Sequence, residues 1–119
     1  MRNVKDQVFA ALEKVFGNVT DQYPKDWADF PAVQYTEEEN KVYEHTAEGE
    51  CKSYVRYRID IWHNRSTSEA ALKADEALSA LGLVRTSCSD TPDPSGLKHK
   101  QMRYEAIIDM ESEEVYWQD

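Results

Sequence analysis

The chain predicts an α+β domain in which a mostly antiparallel sheet of four or five strands carries two helices on one face. Three observations predict it. Between residues 51 and 63, Val55, Tyr57, Ile59 and Ile61 alternate with Tyr54, Arg56, Arg58, Asp60 and Trp62, the period of two of a strand with one buried face. Two other segments, residues 3–17 and the stretch ending at Gly82, repeat their apolar residues at helical spacing. The elements follow in the order α-β-β(-β)-α-β-β, which suits an antiparallel sheet with its helices gathered on one side.

Residues 3–17 are expected to form the first helix, with Val4, Val8, Ala11, Leu12 and Val15 along one stripe and Gly17-Asn18 as its stop. Phe9 and Phe16 lie beside that stripe and either widen the core face or meet another subunit. The segment "VTDQYPKDWADFPAVQY" then holds Pro24 and Pro31 around a Trp and a Phe, and reads as an extended connection into a strand from about Ala32 to Glu38. "EEEN" reads as a turn, "KVYEHT" as a short paired strand and "AEGE" as a second turn.

After the long strand of residues 51–63, Ser66-Thr67-Ser68-Glu69 matches a capping box, in which Ser66 and Glu69 would each satisfy a free backbone amide. The helix beyond it presents Ala70, Ala74, Ala77, Leu78 and Leu81, small enough to approach a sheet closely, and stops at Gly82. "LVRTSCSD" reads as a strand and "TPDPSGLK" as a loop. "HKQMRYEAIIDM" closes the sheet, with Met102, Tyr104, Ala106, Ile108 and Met110 on one face. Residues 1–112 are assigned to a single domain and 113–119 to an acidic, aromatic tail.

A chain of 119 residues that is 40% hydrophobic, with only four glycines and four prolines, can build one real core. It has no apolar run of membrane-spanning length, and its N-terminus is amphipathic rather than signal-like. The expectation is therefore a cytoplasmic protein with no membrane partner, in which Cys51 and Cys88 stay reduced. The net charge of −9 repels phosphate backbones and argues against specific nucleic-acid binding.

Few side chains are arranged for chemistry. Asp60, His63, Arg65 and Ser66 are close in sequence, but Asp60 and His63 stand three apart on a strand and project from opposite faces. His45, His63 and His99 lie on separate elements, the cysteines form no Cys-x-x-Cys pair, and four scattered glycines draw no phosphate loop. No catalytic residue, metal ligand or cofactor is assigned, and the expectation is a protein that is not an enzyme.

The aromatic residues say more. Trp62 lies on the outward strand face beside Arg56, Arg58 and Asp60, and Tyr116 and Trp117 lie in the acidic tail. Tyr, Trp and Arg together have the composition of protein interfaces. These six residues are the candidate contact positions, the tail either folding back on its own domain or reaching a neighbour.

The order of elements and several local patterns resemble the tail terminator, or tail-completion, proteins of long-tailed bacteriophages and prophages. The patterns are "YP" and "FPAVQY" entering the sheet, "YRIDIWHNRSTSEA", the alanine-rich helix, "LGLVRTSCSD" and "KHKQMRYEAIID", and they span nearly the whole chain. The resemblance implies a non-enzymatic minor tail protein that forms a ring, typically a hexamer. Such a ring caps the tail tube and joins it to the head-completion or neck proteins while DNA passes through unbound. It further implies assembly in the host cytoplasm and residence at the head-proximal end of the tail in the virion. Two alternatives compete: a neck or head-closure protein of the same virion region, and a small acidic binding or inhibitor protein acting through "TEEENKVYEHTAEGE".

Overall fold

A computed structural model describes residues 4–47, 49–112 and 114–116. The elements are α1 (Lys5–Glu13), β1 (Val19–Thr20), β2 (Ala32–Thr46), β3 (Gly49–His63), α2 (Ser68–Ser79), β4 (Val84–Asp90), β5 (Lys98–Asp109) and β6 (Val115–Tyr116). The class is α+β, with two helices and six strands in one mixed sheet among the described residues.

The strand order is β1-β2-β3-β5-β4, and β6 pairs with the far end of β5. Among the described residues every pairing is antiparallel except β1 with β2. That is one or two strands more than the sequence predicts. The additions are the two-residue strands β1 and β6, too short to show any alternation.

The core follows the predicted alternation. Val55, Tyr57, Ile59 and Ile61 of β3 and Met102, Tyr104, Ala106 and Ile108 of β5 meet Val8 and Leu12 of α1 and Ala70, Ala74 and Leu78 of α2. The registers Tyr57↔Tyr104 and Ile59↔Met102 put these residues opposite one another on the helix side of the sheet. Both central tyrosines are fully buried and send their hydroxyls to its margin, Tyr57 donating to Glu37 at 2.9 Å and Tyr104 to Asp75 at 2.7 Å. Burial, then the carboxylate neighbour, raises both phenol pKa values well above the ordinary range.

Three local expectations are corrected. The described part of α1 ends at Glu13, and Val15 is 43% exposed rather than part of the stripe, because the chain leaves the helix before a last full turn can bring it inward. Phe16 takes its place in the core, and Phe9 packs on Tyr35. "EEEN" is no turn: β2 runs on to Thr46, absorbing irregularities around Glu38 and Tyr43 as β-bulges. Nor is there a capping box. α2 starts at Ser68 after Thr67, the Ser66 hydroxyl accepts from the Ser68 amide at 3.1 Å, and Glu69 pairs instead with Lys73 one turn on at 3.3 Å.

The result is long and narrow, with principal extents of 52 × 24 × 21 Å. Its radius of gyration of 15.2 Å exceeds the roughly 13–14 Å expected of a compact domain of this length. The excess lies in the β2–β3 hairpin. From Lys41 to Thr46 every residue of β2 is exposed, beyond the reach of either helix.

Candidate functional site

The sheet face opposite the helices carries what the alternation of β3 and β5 leaves over: Arg56, Arg58, Asp60 and Trp62 beside His99, Gln101, Arg103 and Glu105. Two carboxylates organise it. Glu38 sits in the first β2 bulge and accepts from Arg103 Nε at 2.9 Å, Arg56 Nε at 3.2 Å and Arg58 Nη1 at 3.3 Å. Asp60 is only 3% exposed and accepts from His99 Nε2 at 2.8 Å, Arg58 Nε at 2.9 Å and Gln101 Nε2 at 3.1 Å. Arg58 joins the two hubs into one network across three strands.

Burial alone would raise the pKa of Glu38. The Arg103 hydrogen bond and charge, with Arg58 and Arg56 behind them, outweigh that and hold it below its ordinary 4.5. A carboxylate depressed in the folded state stabilises the fold above the unfolded value, and that contribution disappears as pH falls through the lower folded value. Glu38→Gln is therefore expected to cost about 1–2 kcal/mol near neutral pH and progressively less below pH 4.5. Urea midpoints measured between pH 7 and pH 3 check this. A gap between variant and parent that stays constant across the range would show that the Glu38 charge does not support the network.

Next to the polar network the same face is closed by aromatics. Residues 21–31 cross beneath the sheet, pinned where Asn18 Nδ2 donates to the carbonyls of Asp26 and Asp29, each at 2.9 Å. Trp27 and Tyr23 meet Trp62 edge-on, with ring centroids 5.7 and 5.6 Å apart, and His99 stacks on it at 4.4 Å. The indole N–H donates to Asp93 at 3.3 Å. Phe30 continues the cluster onto His63.

At the other end of the molecule the distal hairpin exposes Val42 and Tyr43. Lys52 reaches Glu44 at 3.5 Å and lies over the ring of Tyr116 at 5.8 Å. The Tyr116 hydroxyl first, then Glu44, raises the Lys52 pKa.

No family model and no curated protein matches this chain.

The six candidate contact residues fall into three groups. Arg56 and Arg58 lie half-exposed on the open face, as expected, but both are engaged by Glu38. Asp60 and Trp62 also point to that face, yet both are 3% exposed. Trp62 is not an exposed side chain as expected, because residues 21–31 and the β4–β5 loop of the same chain cover it. Tyr116 folds back as β6 opposite Ile107 and joins its own sheet, while Trp117 lies outside the described residues.

His63 is away from Asp60, stacked on Phe30 and bonded to Asn64. The partner of Asp60 is His99, thirty-nine residues on, a pairing that the separate placement of the histidines did not anticipate. Its signal was the shared parity of Asp60, Trp62, His99 and Gln101 once β3 and β5 are set in register. Arg58 and Gln101 donate to Asp60 and His99 Nε2 pairs with it, which holds the His99 ring against Trp62. Among the described residues no group of three or more His, Cys, Asp or Glu side chains is placed to hold a metal ion. Cys51 is half-buried and Cys88 exposed, both as free thiols.

Proposed function

We propose that this chain is the subunit of a non-enzymatic, ring-forming assembly, a tail terminator or tail-completion protein of a long-tailed phage or prophage. The observation that carries the reading is the distal β2–β3 hairpin. It is a paired and bulged extension whose β2 arm is exposed from Lys41 to Thr46, with Val42 51% and Tyr43 55% exposed, and burial against another chain is what would stabilise such a surface. The mostly antiparallel sheet with two helices on one face agrees with the resemblance in the sequence. The open face is braced by its own salt bridges, which suits a rigid building block.

In this reading the partners are further copies of the chain, the tail tube and a neck or head-completion protein, with DNA passing through the ring unbound. Assembly takes place in the host cytoplasm and the ring ends in the virion. The exposed acidic hairpin also favours one alternative, a small acidic protein that masks a basic partner.

Light scattering over a wide concentration range, with negative-stain images, separates the two. Rings of roughly six copies of the 13.8 kDa chain are expected, formed alone or on added tail tubes. A monomer under both conditions would overturn the ring, and a monomer that captures a basic protein through the hairpin would establish the alternative. A ring that binds neck components but no tube would mark the head-closure role instead.

A further inference from the structure

A closed ring of identical subunits needs two different surfaces on each subunit that fit one another head to tail, and this sheet has two unfinished edges on opposite sides. Among the described residues β1 covers β2 only at Val33 and Gln34, and β4 has a neighbouring strand on one side alone. Resting on the ring reading above, we infer that the outer edge of β2 from Lys41 to His45 adds as a further strand to the outer edge of β4 in a second copy of this chain.

Two features of the molecule converge on this pairing. Isolated sheet edges are normally blunted by lysine, proline or inward charge, but the middle of β4 is Thr86-Ser87-Cys88-Ser89, with only a bulge near Arg85 to disturb it. Exposed apolar side chains coincide with both edges, Val42 and Tyr43 on one and Val84, 41% exposed, on the other. The charges on the two edges do not oppose the pairing: Lys41 and Glu44 on the β2 segment and Arg85 and Asp90 on β4 each have an ion-pair partner within their own chain. Backbone hydrogen bonds would supply the affinity of the added strand. Because the two edges differ, the contact propagates from copy to copy until rotation closes it.

Cys88 is an exposed native probe on the receiving edge. In a Cys51→Ser background, cysteine is placed singly at Lys41, Val42, Tyr43 or Glu44, and the assembled protein is oxidised mildly. A disulfide needs Cα atoms about 5.5 Å apart, and strand side chains alternate faces except where the bulge at Tyr43 interrupts them. One or two of the four positions should therefore link to Cys88 several-fold better than the rest, giving ladders longer than dimers that vanish with Cys88→Ser. Rings without any ladder would overturn the strand pairing and leave the ring reading standing. Ladders in open chains that never close would support the pairing and sink the ring. Dimers formed through Cys88 alone, or equal linkage at all four positions, would overturn the pairing.

Discussion

Replacing Asp60 with alanine is expected to destabilise the fold by about 3 kcal/mol, because it strips the acceptor from three donors at once in a site closed to water. Arg58 Nε, His99 Nε2 and Gln101 Nε2 all converge on this one carboxylate, which is 3% exposed. Arg58 keeps Glu38 as a second partner, so the loss falls mainly on His99 and Gln101. The His99–Trp62 stack should loosen with them, changing the near-ultraviolet circular dichroism of the indole. Urea unfolding followed by far-ultraviolet signal measures the cost, and an unchanged m-value would show that the two-state transition is intact. Asp60→Asn keeps the shape and one acceptor oxygen, and should cost about half as much. A loss below about 1 kcal/mol for the alanine variant would mean that this hub does not hold the face together.

The second large effect is expected at Gly82. Its φ of +92° suits glycine, and a Cβ there would stand 2.4 Å from the carbonyl oxygen of Val115. Gly82→Ala therefore meets both backbone strain and a collision with β6, for an expected cost of about 2–4 kcal/mol. A chain ending at Ser112 separates the two causes. Without β6 the collision disappears, and the same substitution should cost about 1–2 kcal/mol from conformation alone. Equal penalties in the two backgrounds would show that β6 does not dock against this turn, since only coupled sites depart from additivity.

These two sites differ in how far the sequence revealed them. The alternation in β3 and β5 and the alanine stripe of α2 placed the core correctly, because burial on one face imposes a period that survives in the residues themselves. Gly82 was visible as the glycine of the turn that follows α2, although the helix itself ends at Ser79. Its contact with Val115 was not, since β6 is two residues long and gains its place from pairing rather than propensity.

Local chemistry misled in three places. "EEEN" has a turn's polarity, yet its backbone is fixed by the ladder to β3, with a bulge absorbing the extra residue at Glu38. Ser66 and Glu69 have the spacing of a capping box, but the helix begins at Ser68 and leaves Glu69 facing Lys73. Trp62 lies on the predicted face, and its burial depends on Tyr23 and Trp27, about forty residues earlier in a segment without periodicity. The contact between Asp60 and His99 required the β3–β5 register, which no single segment carries.

The central position of β3 has a consequence for when this protein can exist as a folded object. One side of β3 pairs with β2, the strand just before it, but the other waits for β5, with Lys52 meeting Asp109 and His63 meeting Lys98. During synthesis the hairpin, both helices and β4 all leave the ribosome before that seam can close. Until then Tyr57 and Ile59 lack Tyr104 and Met102, and the helices have only half a sheet to cover. Such non-local seams close slowly. The nascent chain would thus carry a complete β2–β3 hairpin before β4 has a strand to pair with.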